Sequence, residues 1–170
     1  QRIAHLGSWQ LDIVNDVLSW SDEIYRMFEI DSERFGASYE AFLDAIHPDD
    51  RDAVNSAYIN SLRTRIPYGI EHRLQFADGR IKYLHEQCET FYDADGNPIR
   101  SMGTVQDITE RKQAEENLRQ MNERFSLAAL AAHLGVWDWD IQKDELVWDD
   151  GMYELYGVKR EDFVGAYEAW

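Results

Sequence analysis

The chain has 170 residues, 44% hydrophobic and 13% aromatic, enough for one packed domain plus a remainder and too apolar for a disordered segment. Its 33 acidic against 17 basic residues leave a formal charge of −16, which repels phosphate backbones and anionic membrane surfaces, so nucleic acid is not an expected partner. Cys88 is the one cysteine and can form no internal disulfide, and no apolar run approaches the roughly 20 residues of a membrane span; a reduced, cytoplasmic setting is expected, with any membrane anchor lying outside this stretch.

Trp9, Leu11 and Ile13 alternate with Ser8, Gln10 and Asp12, the period of a half-buried strand. Asn15-Asp16 supplies a turn, and Val17 to Trp20 is the return strand of a hairpin. Ser21 is placed to cap a short helix through Phe28 that turns Ile24, Met27 and Phe28 to one face. Asp31 and Ser38 are starts for two more short helices, the second carrying Tyr39, Phe42, Leu43 and Ile46 inward. In His47-Pro48-Asp49-Asp50-Arg51 the proline suits the first helical position and the acids suit the positive end of the helix dipole. The helix so opened is predicted to run to Leu62, with Val54, Tyr58 and Leu62 on one face.

Three long strands follow. Tyr68–Phe76 turns at Asp78-Gly79 into Arg80–Tyr92, and Asp93–Pro98 turns into Ile99–Asp107. Two strands, short helices and three strands predict an α+β fold: one five-stranded antiparallel sheet, the opening hairpin joining the closing strands, with helices on one face. A small molecule would sit between helices and sheet.

From Thr109 the chain is a charged helix. Ala114, Leu118, Met121, Phe125, Ala128 and Ala132 recur at steps of four and three, the seam of a two-stranded coiled coil, although a single amphipathic helix lying on its own domain has the same pattern. Glu115 with Arg119 and Lys112 with Glu116 are expected as supporting ion pairs.

Beyond the helix the sequence repeats. Residues 4–42 align with 132–170 at a fixed offset of 128 with 17 of 39 pairs identical, among them His5/His133, Gly7/Gly135, Trp9/Trp137, Trp20/Trp148, Tyr25/Tyr153, Phe35/Phe163 and Tyr39/Tyr167. Three segments are therefore expected: a domain over 1–108, a linker helix over 109–131, and the opening part of a second copy over 132–170. Lacking the three long strands, that second copy should leave Trp137, Trp139, Ile141, Trp148, Tyr153 and Tyr156 short of cover, which predicts contact with another chain or with the linker helix.

Gly7-x-Trp9, Leu18-Ser-Trp20-Ser-Asp22, the His47 to Arg51 box, Glu71-His-Arg73, Asp78-Gly79, Asp95-Gly96-Asn97-Pro98 and the closing Gly103-Thr-Val-Gln-Asp107-Ile108-Thr109-Glu110-Arg111-Lys112 together resemble a PAS sensor domain of the bacterial signalling type. The closing run resembles the point where such a domain feeds a signalling helix. The resemblance covers residues 4–110 and implies a non-catalytic input module of a two-component histidine kinase or a cyclic-di-GMP enzyme. It implies as partners a covalently linked output domain and a second copy of the chain, joined through the linker helix and PAS surfaces. A ligand-free dimerisation scaffold between tandem PAS domains is the alternative.

On this fold the inward face carries Ile70, His72 and Leu74, then Leu84, Glu86 and Cys88, then Ser101, Gly103 and Val105. The candidate pocket is formed by Tyr25, Phe28, Phe42, Tyr58, His72, Leu74, Leu84, Glu86, Cys88 and Val105. His72 and Glu86 can hydrogen-bond a ligand, pair with each other, or reach solvent; Cys88 is expected as a small buried hydrophobe rather than a reactive thiol. Asp107, Ile108 and Thr109 are the expected relay into the helix, and outward-facing Tyr83, His85 and Phe91 would pass the bias there. Haem is disfavoured, because helix 49–63 holds no histidine to serve as axial ligand. Covalent flavin photochemistry is disfavoured too, since there is no helical cysteine and Val105 stands where the light-sensing relatives carry glutamine. Non-covalent flavin stays open; otherwise no cofactor is expected. His85 and Glu86 point to opposite strand faces and cannot share a metal, no phosphate loop or nucleophile elbow is present, and neither a metal site nor catalysis is expected here.

Overall fold

The structure, a computed structural model, describes residues 6–31 and 38–163. The chain divides into two compact units, residues 1–113 and 114–170. The first contains β1 (Leu6–Asp12), β2 (Val17–Trp20), α1 (Asp22–Phe28), α2 (Tyr39–Ala45), α3 (Pro48–Thr64), β3 (Tyr68–Gln75), β4 (Ile81–Tyr92) and β5 (Pro98–Asp107). The boundary falls within α4 (Thr109–Ala131). The helix expected from Asp31 lies outside the described residues.

The five strands form one antiparallel sheet in the order β2-β1-β5-β4-β3, so the opening hairpin does join the closing three strands. Trp9 faces Gly103 and Leu11 faces Ser101 across the β1–β5 pair. Ile24, Met27 and Phe28 of α1, Phe42 of α2, Val54 of α3 and the sheet residues Leu74, Leu84 and Val105 close into one core with Ile46. Each such side chain contributes about 1.5–3 kcal/mol when fully buried.

Local chemistry explains the joints. Ser21 stands at the N-cap of α1 without capping it; its hydroxyl accepts the Ser8 N–H at 3.0 Å and its own N–H donates to the Ser8 carbonyl, which ties hairpin to helix. Gly7 permits that approach, because a Cβ there would lie 2.4 Å from Ile24 Cγ1. His47 caps α3, its Nδ1 accepting the Asp49 N–H at 3.3 Å, and the helix continues two residues past Leu62 to Thr64 before left-handed Arg65 ends it. Asp50 reaches further than capping: its carboxylate accepts from the Arg73 backbone N–H at 2.9 Å, from Nε at 2.9 Å and from Nη2 at 2.6 Å. The guanidinium holds the Asp50 carboxyl below the usual carboxylate range and fixes the start of α3 to β3.

Along α4 Arg119 pairs with Glu116 and Glu123, and Lys112, expected to meet Glu116, reaches Glu71 on β3 at 2.6 Å. Leu118, Met121 and Phe125 are 60%, 68% and 60% exposed.

The second unit carries β6 (Trp137–Asp140), β7 (Glu145–Trp148) and α5 (Asp150–Tyr156). Its local geometry reproduces that of the first. Trp137 pairs with Trp148 as Trp9 pairs with Trp20, and the Asp149 N–H donates to the Val136 carbonyl at 2.9 Å as Ser21 donates to Ser8. A Cβ on Gly135 would meet Met152 Sδ at 2.6 Å, as one on Gly7 would meet Ile24. Contrary to expectation Trp148 is buried, stacked on Phe163 at 4.3 Å and flanked by Tyr153 and Tyr156, because the hairpin folds onto its own helix. Trp137 and Ile141 stay 47% and 74% exposed.

Candidate functional site

Between the helices and the inner face of the sheet lies a cavity of about 20 Å³. The rings of Trp9, Trp20, Phe28, Tyr39, Phe42, Tyr58 and Tyr68 line it with Leu11, Leu18, Ile24 and Val105, and Glu86 is its one carboxylate. Of the residues expected at the pocket, Phe28, Phe42, Tyr58, Glu86 and Val105 are in this wall. Leu74 and Leu84 are buried in the core beside it, and Cys88 packs with Leu11 and Tyr58. Tyr25 lies half-buried against Trp20, ring centroids 5.5 Å apart, and His72 stands edge-on to Phe42 at 6.1 Å; neither lines the cavity. The size follows from the rings. Trp9 lies over Gly103, where a Cβ would be 2.4 Å from Trp9 Cε2 and 2.5 Å from the Gln87 carbonyl oxygen, so glycine alone admits the indole. The volume accepts one or two heavy atoms, against roughly 300–1,000 Å³ for drug-sized ligands.

Glu86 and His72 are 2% and 3% exposed. Neither reaches solvent, and they do not hydrogen-bond: His72 Nδ1 is 4.0 Å from Glu86 Oε2. The β3–β4 register explains the gap, since Glu86 faces Ile70 and His72 faces Leu84, leaving the two as diagonal neighbours. Glu86 Oε1 accepts the Tyr68 hydroxyl at 3.2 Å, whereas Oε2 and both His72 ring nitrogens have no hydrogen-bond partner among the described residues. Burial pushes the Glu86 carboxyl up to about 7 and pulls the His72 imidazole down to about 4. It also pushes the Cys88 thiol up to about 12, the behaviour of an inert buried side chain. Tyr58 shares a 3.2 Å hydrogen bond with Ser101, and the Tyr39 hydroxyl donates to Asn55 at 3.2 Å.

Two residues beyond Val105, β5 passes into α4 through Asp107, Ile108 and Thr109. Asp107 Oδ1 accepts the Thr109 N–H at 2.9 Å, Thr109 Oγ1 accepts the Tyr83 N–H at 2.9 Å, and the Ile108 N–H donates to the Tyr83 carbonyl at 2.9 Å. Glu71 on the outward face of β3 then grips the first helical turn, with Oε1 2.7 Å from Arg111 Nη2 and Oε2 2.6 Å from Lys112 Nζ. Both cations hold its carboxyl below the usual range.

A family model described as the PAS fold matches residues 17–105, more than half of the chain. The chain belongs to the PAS fold family. A sensory box histidine kinase/response regulator from Burkholderia thailandensis E264 superposes with a TM-score of 0.60 at 24% identity, over 72% of this chain and 92% of that one, which shows the PAS fold. The "Probable diguanylate cyclase DgcE" of Escherichia coli K12 is 25% identical over 122 residues, 72% of this chain. The sensor protein FixL of Bradyrhizobium diazoefficiens is 29% identical over 114 residues, 67% of this chain. The chain spans only 11% and 22% of the length of those two relatives. PAS domains are sensory and non-catalytic. Among the described residues no helix is long and apolar enough to cross a membrane, and no three His, Cys, Asp or Glu side chains gather as a metal site would require.

Sequence reasoning missed Tyr68, Tyr39 and the two indoles as lining residues, and Glu71 as a partner of the helix. Tyr68 shares strand parity with Ile70, His72 and Leu74, so alternation already placed it inward. Glu71 carries no comparable signal, because its partners lie 40 and 41 residues further along the chain.

Proposed function

We propose that residues 6–108 are the sensory input module of a signalling protein of the histidine kinase or cyclic-di-GMP enzyme type, passing a change at the inner face of the sheet into α4. The observation that carries this reading is the junction. Backbone and side chain of Asp107, Ile108, Thr109 and Tyr83 form one hydrogen-bonded joint, and Glu71 grips the next turn, so movement of β3, β4 or β5 moves the helix start. Coupling then requires a ligand or state that binds two arrangements of the sheet differently. No resident cofactor is proposed: a non-covalent flavin would need the ring wall to open well beyond 20 Å³.

The exposed apolar stripe of Leu118, Met121 and Phe125 supports a parallel pairing of α4 with a second copy of the chain. The reproduced hairpin geometry around Trp137, Trp148 and Gly135 supports reading 132–170 as the opening of a second PAS domain in tandem. The module sits in the cytoplasm, with its output domain covalently attached.

The test is Asp107→Ala in the full-length protein. Removing the carboxylate that accepts the Thr109 N–H should destabilise the junction by about 1 kcal/mol, leave the domain folded and disconnect input from output. Signal-dependent output at the normal level in that variant would contradict the relay. A ligand-free dimerisation scaffold is the second reading, favoured by the small cavity. It requires that mass spectrometry of extracts find no bound small molecule and that light scattering find a dimer.

A further inference from the structure

We propose that the cavity beside Glu86 binds a small primary ammonium cation, of the size of ammonium or methylammonium. The inference rests on reading residues 6–108 as a sensor and gives that sensor's ligand a chemical class.

The carboxylate defines the need. Glu86 is 2% exposed, one of its oxygens is engaged by the Tyr68 hydroxyl, and the other has no donor among the described residues. A buried carboxylate oxygen of this kind calls for a hydrogen-bond donor, and His72, 4.0 Å away, does not supply one. The surrounding wall then selects among donors. The hydroxyls of Tyr39, Tyr58 and Tyr68 bond to Asn55, Ser101 and Glu86, and their oxygens keep accepting lone pairs for a guest that carries N–H groups. Seven aromatic residues line the cavity, and indole, phenol and phenyl rings attract cations over their faces. A volume of about 20 Å³ admits one or two heavy atoms and excludes quaternary ammonium ions, sugars and nucleotides. An anion would meet the Glu86 carboxylate.

The proton balance follows. The guest enters as the cation; where Glu86 is protonated, its proton passes to solvent and the resulting ammonium–carboxylate pair is neutral in sum. With the Glu86 carboxyl at about 7, the ionised fraction rises about tenfold between pH 6 and pH 8, so affinity rises by the same factor.

Isothermal titration of the purified 170-residue chain with methylammonium chloride, against sodium chloride and methanol, tests this. Expected are saturable binding of methylammonium alone, about tenfold weaker at pH 6 than at pH 8, and loss of binding in Glu86→Gln. The pH comparison uses the unmutated chain and stands even if that variant fails to fold. Equal heats for methylammonium and sodium, or undiminished binding in folded Glu86→Gln, overturn the proposal. Saturable binding of methanol by both proteins overturns the amine class while leaving a ligand cavity; the sensor reading itself is judged separately, by the output of Asp107→Ala.

Discussion

His72 Nδ1 stands 4.0 Å from Glu86 Oε2, two titratable groups buried side by side and shifted in opposite directions. The folded chain keeps a proton on Glu86 between pH 4.5 and about 7, where the unfolded chain has released it, so this group's contribution to stability falls as pH rises through that window. His72 acts with the opposite sign: between about 4 and 6.5 the unfolded chain holds a proton that the folded chain does not, and stability rises with pH. The two slopes offset each other from pH 4.5 to 6.5. Glu86→Gln removes the falling branch, so urea unfolding across pH should show the variant gaining on the order of 3 kcal/mol relative to the parent between pH 4.5 and 8. A difference that does not vary with pH would contradict the buried, protonated carboxyl.

Gly103 and Trp9 make a second, sterically defined relationship. Alanine at 103 places its Cβ against the indole and against a backbone carbonyl that cannot swing away, so Gly103→Ala should destabilise by about 1–3 kcal/mol. Gly69, also on the sheet, is the control: a Cβ there meets nothing closer than 3.4 Å, and Gly69→Ala should stay within about 0.5 kcal/mol. Equal denaturant midpoints for the two variants would refute the close packing of Trp9.

The Asp50–Arg73 clamp predicts an acid-sensitive joint. Arginine depresses the Asp50 carboxyl below its ordinary 3.8, so the stabilisation is complete above that pH and is lost as pH falls through the lower folded value. Asp50→Asn should destabilise by about 1–3 kcal/mol at pH 7, and the gap between variant and parent should shrink only below about pH 4. A gap already closing at pH 6 would assign the effect to another group.

Strand parity made the inner face legible in the sequence: Ile70, His72 and Leu74 alternate in one strand and Leu84, Glu86 and Cys88 in the next, and all six turn inward. The hairpin's return to β5 followed from the element order. What stayed hidden depends on distance along the chain. Asp50 reaches Arg73 23 residues away, Glu71 reaches Arg111 40 away, and neither spacing belongs to a helix or strand period. The His72–Glu86 separation is set by a register that the turn at Asp78-Gly79 fixes, and the cavity volume by how seven rings tile one space; composition constrains neither.

Glu71 gives the last prediction, because it holds both Arg111 and Lys112 at the start of α4. All three groups are partly exposed, so each ion pair stabilises the fold by no more than a few tenths of a kcal/mol, and Glu71→Gln should leave the unfolding midpoint almost unchanged. Its effect should be local. With the grip removed, the hydrogen bonds of Asp107, Ile108, Thr109 and Tyr83 still position the helix start, but backbone amides of residues 110–113 should exchange with deuterium faster while those of β4 do not. High salt should mimic the substitution in the parent chain and add nothing to the variant, since screening acts on the same exposed pairs. The cations depress the Glu71 carboxyl below 4.5, so the grip persists above that pH and loosens only as pH falls below it. Unchanged exchange at residues 110–113 in Glu71→Gln, at low salt and pH 7, would show that the joint at Asp107 and Thr109 alone sets the helix start.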